Sequence, residues 1–175
     1  MQQHVAATFR RLTSGVYVVG VADRGRRDAF TAAWVMQVSF RPPLVALSVN
    51  PANLSHGILV GGGGFAVSVL ERGRLDLARR FGTRTGTDVD KLVGIAWRAG
   101  RTGAPILEEA IAFLDCRLEA RHPAGDHELM IGRAVEGAVL RPEAAPITHA
   151  ETGEMDGSTA MYPAGWGESG GDPVS

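Results

Sequence analysis

The segment 28–56 constrains the fold of this chain more than any other part of it. It reads DAFTAAWVMQVSFRPPLVALSVNPANLSH, with two apolar runs rich in valine and aromatic residues on either side of Pro42-Pro43. Such runs are typical of buried strands, whereas consecutive prolines cannot continue a hydrogen-bonded ladder. The segment therefore predicts two neighbouring strands with a sharp corner between Phe40 and Leu44.

Small and hydroxyl-bearing residues lie beside both predicted strands. Residues 31–33 (Thr-Ala-Ala) precede the run Trp34-Val35-Met36, and the polar turn 50–56 follows the second strand. Small side chains allow backbone amides to approach a ring edge or a phosphate closely. If residues 57–60 form a helical turn capped by the Asn or Ser before it, its free amides favour an anion. The pattern predicts a site for a flat, phosphorylated ligand.

Size, charge and cysteine content limit the classes of protein to consider. The chain has 175 residues, a formal net charge of −1 and a single cysteine, Cys116. This length predicts one domain over residues 1–162, followed by an unfolded Gly-, Pro- and Ser-rich tail over 163–175. The absence of a basic cluster disfavours nucleic acid and anionic membranes as partners. A lone cysteine, no signal-peptide pattern and short apolar runs predict a cytoplasmic protein without a membrane span.

Turn signals divide the remaining sequence into short elements. Helices are predicted at 5–12 and 75–81 from the period of their apolar residues, hairpin connections at 23–28 and 123–127, and a polar loop at 83–90. The predicted strands are 16–22, 29–40, 44–50, 65–70, 111–122 and 128–140. Many strands without regular alternation with helices predict a mainly β protein, a closed or partly closed barrel with a few short helices.

Three weaker motifs point to chemistry that their context disfavours. Gly61-Gly62-Gly63-Gly64-Phe65-Ala66 satisfies G-x-G-x-x-A, but it precedes a strand rather than a helix, so we interpret it as a flexible turn. Ser39 lacks the G-x-S-x-G elbow that acyl transfer requires. His122, Asp126 and His127 match no known metal-ligand spacing, so no metal site is predicted.

Ordered motifs between about Phe9 and Gly153 resemble the flavin reductase-like, FMN-binding split-barrel family. They are FRRLTSGVYVV from Phe9, FTAAWV and VSFRPPLV in the segment 28–56, Asn53-Leu54-Ser55, FAVSVL from Phe65, Asp90-Lys91-Leu92, GAPIL from Gly103, Leu114-Asp115-Cys116 and Gly125-Asp126-His127. The family often has Ser at Trp34 and Asn at Ser68. Its closing motif is replaced here by residues 146–153, in which His149 is the nearest aromatic match.

The resemblance implies a Greek-key-like split β-barrel that dimerises, with flavin at or near the dimer interface. It implies that His127 is the catalytic residue, lying near nicotinamide and flavin, where its ring orients the hydride donor; the alternative is a turn residue of its hairpin. Trp34 is predicted to be a core residue first and a shield for one ring face second. Arg80 and Phe81 either lie close to the flavin or pack at a helix end.

The predicted flavin-binding residues combine the hydroxyl-bearing turns with the positions that the resemblance supplies. They are Phe30, Thr31, Ala32, Ala33, Trp34, Val35, Ser48, Val49, Asn50, Asn53, Ser55, His56, Phe65, Ser68, Arg80 and Phe81. Among them, Thr31 and Ser55 are predicted to contact the phosphate or the ribityl chain.

The implied activity is hydride transfer from NADH or NADPH to FMN or FAD, in which the protein supplies binding and orientation. FMN is the predicted cofactor, with FAD as the alternative, and reduced flavin would serve a partner monooxygenase or another electron acceptor. A homodimer is also favoured by the strand edges that an open barrel leaves. One alternative is an FMN-binding electron-transfer protein reduced by a protein donor, since the segment 34–40 is similar to the reductase module of diflavin flavodiiron proteins. The other is a non-catalytic flavin- or haem-binding module.

Overall fold

The computed structural model describes residues 5–82, 89–153, 155, 157 and 161–163, and strands dominate this part of the chain. The strands are β1 Tyr17–Asp23, β2 Arg26–Ala32, β3 Val35–Ser39, β4 Leu44–Val49, β5 Gly64–Val69, β6 Trp97–Ala99, β7 Pro105–Leu107, β8 Ala112–Ala124 and β9 His127–Val139. The helices are α1 Val5–Phe9, α2 Leu54–Gly62, α3 Leu75–Gly82 and a 3-10 helix at His149–Thr152. The predicted mainly β fold with a few short helices is confirmed. Most of the predicted loop 83–90 and of the predicted tail 163–175 lies outside the described residues.

The main sheet is antiparallel and stops short of closing into a full barrel. Its order is β2-β1-β5-β8-β9-β4-β3, while β6 and β7 form a separate two-stranded hairpin. The two edge strands, β2 and β3, are consecutive in the chain and are joined by Ala33 and Trp34. Each pairs with its inner neighbour, β2 with β1 and β3 with β4. We call the gap between these two edges, bridged by Ala33 and Trp34, the seam.

The seam divides a segment that the sequence predicts as one strand, residues 29–40. At this point the amide of Val35 donates to the Ala33 carbonyl at 3.1 Å, and the amide of Ser48 donates to the Trp34 carbonyl at 3.0 Å. The chain therefore leaves the ladder with β1 and enters the ladder with β4. The prediction that Trp34 is a core residue is wrong, because 57% of its surface is exposed at this crossing.

Helix α2 is longer than the predicted turn 57–60 and includes part of the glycine run. It ends at the C-cap Gly63, whose φ of 68° suits glycine. A Cβ on Gly62 would collide with the Ala22 carbonyl of β1. Hence the glycines here end a helix in close contact with a strand, which corrects the interpretation as a flexible turn.

The β8–β9 hairpin is also tighter than predicted. The two strands run to Ala124 and restart at His127, so only Gly125 and Asp126 form the turn, with Gly125 at a φ of 67°. The predicted connection 123–127 is thus shortened, and His127 becomes the first residue of β9.

Helix α1 is shorter than the predicted helix 5–12. It ends at Phe9, and i→i−3 hydrogen bonds continue from there to Leu12.

Two apolar clusters fix the walls of the barrel. The inner cluster includes Leu59 of α2, Phe65 of β5 and Met130 of β9, each fully buried. The outer cluster packs Phe81 of α3 against Val18 of β1 and its neighbours. Consequently α2 fills the interior, and α3 covers the outer face beside β2.

Among the described residues, the helices are all too short or too polar to cross a membrane.

Candidate functional site

A cavity of about 330 Å³ opens at the seam. The end of β2, the Ala33–Trp34 link, the end of β4 and the turn before α2 form most of its wall. Its lining residues are Val16, Phe30, Thr31, Ala32, Ala33, Trp34, Ser48, Val49, Asn50, Asn53, Gly82, His127, His149, Thr152, Met155 and Met161. The cavity therefore lies where the sheet fails to close.

The β2 side of the cavity is built from small residues on an edge strand. Backbone groups that face outward from a sheet edge have no ladder partner, and the side chains of Ala32 and Ala33 are too small to cover them. The hydroxyl of Thr31 donates to the Ala78 carbonyl of α3 at 2.7 Å. Because its hydrogen is used there, Thr31 can accept a hydrogen bond from a ligand in the cavity but cannot donate one to a phosphate.

The turn before α2 supplies the electropositive end of the cavity. Asn53 is the N-cap residue of α2 and makes no side-chain cap hydrogen bond. The side chain of Asn50 accepts from the Ala52 amide at 2.9 Å, which holds the turn in place. The first amides of a helix have no acceptor within the helix, and its dipole favours negative charge there. This end of the cavity can therefore bind an anion.

An aromatic pair stands at the mouth of the cavity. The ring centroids of Trp34 and His127 lie 4.9 Å apart with the rings tilted by 59°. On its other side, Nδ1 of His127 is 2.9 Å from Oδ1 of Asp126, and this hydrogen bond lowers the pKa of the Asp126 carboxyl. The side chain of His127 is only 19% exposed. Both rings are held in place beside the opening.

The segment after residue 146 forms the opposite wall, which the sequence did not predict. Its 3-10 helix begins with a reciprocal capping box between Thr148 and Glu151. Glu151 also pairs with Arg72 at 3.0 Å, and hydrogen bonds from Thr148, together with the Arg72 charge, lower the pKa of Glu151. The T-x-x-E spacing of this box was the available sequence signal for the element. The segment with this 3-10 helix brings Thr152 and Met155 to the cavity.

A comparison with known protein families agrees with this architecture. Residues 9–157 match the model of the flavin reductase like domain. The chain belongs to the flavin reductase-like family. The resemblance noted in the sequence, the split-barrel fold and the prediction of a flavin reductase enzyme are thereby confirmed at the level of the family.

The relatives of this flavin reductase-like protein include, by name, an FMN reductase, a rubredoxin and an NADH:FAD oxidoreductase. It is 34% identical over 150 residues to the FMN reductase (NADH) RutF 1 of Methylorubrum extorquens, covering 83% of this chain and 74% of that protein. It is 35% identical over 141 residues to the high molecular weight rubredoxin of Moorella thermoacetica, covering 79% of this chain and only 61% of that protein. The NADH:FAD oxidoreductase SgcE6 of Streptomyces globisporus has a TM-score of 0.77 and 30% identity, covering 83% of this chain and 86% of that one.

The residues of the seam cavity fit a flavin. The apolar side chains of Val16, Phe30 and Val49 suit the faces of a fused ring system, while the start of α2 suits a phosphate. The structure brings together, from the predicted set, the residues Phe30, Thr31, Ala32, Ala33, Trp34, Ser48, Val49, Asn50, Asn53 and His127. These residues line one cavity and are the ones that could hold a flavin.

Other predicted residues have their side chains occupied elsewhere in the fold. Phe65 and Phe81 are buried in the two apolar clusters, at 0% and 1% exposure. The hydroxyl of Ser68 accepts from the Leu107 amide at 3.0 Å. The hydroxyl of Ser55 donates to Asp28 at 2.5 Å, within the protein. Burial or internal hydrogen bonding thus takes these side chains away from the cavity wall.

The last predicted residues outside the cavity wall are Val35, His56 and Arg80. Val35 packs against the inner cluster. His56 Nε2 lies 2.6 Å from Glu128 Oε2, so the first turn of α2 is fixed to β9. Arg80 donates from Nε to the Lys91 carbonyl at 2.9 Å and also contacts the Val93 carbonyl. Arg80 therefore holds the loop after α3 instead of facing the cavity.

Proposed function

We propose that this protein is an NAD(P)H-dependent flavin reductase that binds FMN or FAD in the seam cavity. The observation that carries the proposal is the presence, in one cavity, of an uncapped helix start at Asn53 and an aromatic pair, Trp34 and His127. The first suits the phosphate of a flavin, and the second suits the approach of a second ring. The reduced flavin then serves a monooxygenase or another acceptor. The predicted cytoplasmic location stays a prediction.

Each group of the cavity has a binding or orienting role in this proposal. When bound, the flavin supplies the ring that accepts hydride. The amides at the start of α2 and the side chain of Asn53 hold the phosphate end. The apolar residues Val16, Phe30 and Val49 fix the plane of the ring, while Trp34 and Met155 limit the access of water. His127 orients the hydride donor, which requires no proton transfer by its imidazole.

Anaerobic stopped-flow absorbance tests this proposal directly. We expect the protein to bleach FMN or FAD with NADH or NADPH, and replacement of His127 by alanine to slow bleaching about tenfold, because the donor loses its orientation. His122→Ala is the matched control, since His122 is exposed on the same hairpin and outside the cavity wall. We expect it to retain the wild-type rate. Failure of both nucleotides to bleach either flavin would contradict the proposal.

A flavin-carrying electron-transfer protein is the second candidate. It is favoured by the similarity to the high molecular weight rubredoxin, of which this chain spans 61%. In the same experiment this function predicts a retained yellow cofactor that NADH and NADPH do not reduce. Addition of a reduced protein donor would then bleach the flavin.

We also propose that the protein is a homodimer that associates through the edge strand β3. Met36 and Val38 of this strand, and Phe40 directly after it, have 64%, 46% and 84% of their surfaces exposed. An apolar edge strand presents unpaired backbone groups and side chains that a second copy can cover. The flavin would then lie close to the interface, because Trp34 at the seam directly precedes β3.

Replacement of Phe40 by aspartate should convert the dimer to a monomer, because a buried unpaired carboxylate opposes association. Light scattering coupled to size-exclusion chromatography measures the mass. The matched control is Val93→Asp, since Val93 is likewise exposed, at 66%, but lies in a turn outside every strand and far from β3 in the sequence. A Phe40→Asp protein with the wild-type dimer mass would contradict this interface.

A further inference from the structure

The turn between β8 and β9 places a carboxylate against the imidazole at the cavity mouth. Because the turn has only two residues, Gly125 and Asp126, the Asp126 side chain is directly beside the first residue of β9, His127. Oδ1 of Asp126 lies 2.9 Å from Nδ1 of His127. Asp126 itself is 86% exposed and has no role in the fold core. Its contact with His127 is therefore made at the surface of the hairpin.

This contact determines which nitrogen of His127 carries the proton. An ionised carboxylate only accepts hydrogen bonds, so Nδ1 of His127 must be the donor. In the neutral ring, Nε2 is then a bare acceptor. The tilted contact with Trp34, at 4.9 Å between centroids, restrains the plane of the same ring. The side chain is thus fixed both in orientation and in tautomer.

We propose that Asp126 is a positioning residue that keeps Nε2 of His127 available as a hydrogen-bond acceptor for an N–H donor at the cavity mouth. This inference rests on the proposed function, because a nicotinamide nucleotide carries such a donor, its carboxamide N–H₂, next to the carbon that releases hydride. With Nδ1 turned to Asp126, Nε2 is the ring nitrogen left for this ligand. Without Asp126, the ring is free to present a donor instead, and the carboxamide N–H loses its acceptor.

Removal of the carboxylate should weaken nucleotide binding but leave flavin binding unchanged. We expect Asp126→Ala to raise the KM for the nucleotide about three- to tenfold, the range of one hydrogen bond, with the dissociation constant for oxidised flavin unchanged. Asp126→Asn should keep a KM close to the wild-type value, because the amide oxygen still accepts from Nδ1. In the double variant with His127→Ala, the Asp126 substitution should add nothing, since it acts through the histidine. Glu119→Ala is the control on the same hairpin, where Glu119 pairs with Arg133.

A nucleotide analogue tests the chemical identity of the contact. In 3-acetylpyridine adenine dinucleotide, a methyl ketone replaces the carboxamide and removes the N–H donor. Inhibition constants of the two oxidised dinucleotides should favour NAD⁺ in the wild type, and Asp126→Ala should lose this preference. Equal preference in wild type and variant, with NADH still bleaching flavin, would overturn the positioning role while the reductase function stands.

Two-bond ¹⁵N–¹H spectra of the imidazole separate this inference from the proposed activity. We expect the Nδ1–H tautomer of His127 in the wild type and a shift toward Nε2–H in Asp126→Ala. A wild-type ring with its proton on Nε2 would overturn the inference regardless of activity. A wild type with the expected tautomer that fails to bleach flavin would instead refute the proposed function and its nucleotide.

Discussion

Replacement of Lys91 by methionine is expected to reduce the free energy of unfolding by about 3–5 kcal/mol, because it leaves a buried carboxylate without its counter-ion. Nζ of Lys91 lies 3.1 Å from Oδ1 of Asp28, and the two side chains are only 3% and 5% exposed. The second oxygen of Asp28 accepts the Ser55 hydroxyl at 2.5 Å. This buried trio connects β2, the first turn of α2 and the loop after α3.

The matched control is the neighbouring ion pair on the same strand and loop. Arg27 and Asp90 also lie 3.1 Å apart, but their side chains are 44% and 42% exposed. Solvent screens such a pair, so Arg27→Met should cost no more than about 1 kcal/mol. Urea unfolding followed by circular dichroism measures both variants. Equal midpoints for Lys91→Met and Arg27→Met would contradict the expectation.

A double variant shows whether the charge or the shape of the pair matters. Asp28→Asn combined with Lys91→Met removes both charges, and we expect it to recover much of the stability lost by Lys91→Met alone. Ser55→Ala should cost about 1–3 kcal/mol, since it removes one hydrogen bond to a buried acceptor. Because the trio fixes the start of α2, we expect flavin affinity to fall along with stability in Lys91→Met.

Replacement of Phe65 by alanine should also destabilise the fold by about 3–5 kcal/mol, through the cavity that it creates. The ring is fully buried in the inner cluster, and a Cβ on Gly132 would lie only 2.6 Å from it. The glycine on β9 therefore provides the space for this ring. The sequence assigned Phe65 to the flavin, so stability and flavin affinity discriminate between the two roles.

The milder Phe65→Leu variant keeps enough stability for binding measurements. We expect its urea midpoint to fall while the flavin dissociation constant of the folded protein stays at the wild-type value. Phe30→Leu is the matched comparison, because Phe30 lines the cavity and should lose flavin affinity as well. Weakened flavin binding in Phe65→Leu at unchanged stability would show that Phe65 contacts the flavin, as the sequence predicted.

The sequence predicted the barrel because the signals for its strands are local. Alternation of apolar and polar residues, β-branched residues and turn residues are sufficient to predict the hairpins. The ordered motifs, through their resemblance to a known family, implied the topology of the barrel. The break at Ala33 and Trp34 is different, since it depends on the amide of Ser48 in another strand. No local pattern in the segment 29–40 records that contact, so one long strand was the natural prediction.

The site was predicted where neighbouring positions line it and missed where distant parts of the chain approach. Strand β5 is buried on both faces, so alternation could not tell whether Phe65 or Ser68 faces a ligand. Likewise, the hydroxyl of Ser55 lies in the right turn but points to Asp28, a partner that only the tertiary fold supplies. The wall around Thr152 comes from the far end of the chain, where the closing motif differs from the family pattern.

The short link at Ala33 and Trp34 also limits how this architecture can change. Main-chain groups on the facing ends of β2 and β3 can either pair with each other and close the barrel or remain available to a ligand, but not both. Residues inserted into the link between β2 and β3 would lengthen it and allow the two strands to pair, which would remove the cavity. Insertions should therefore be tolerated at an exposed hairpin such as Arg24-Gly25 and counter-selected at this two-residue tether.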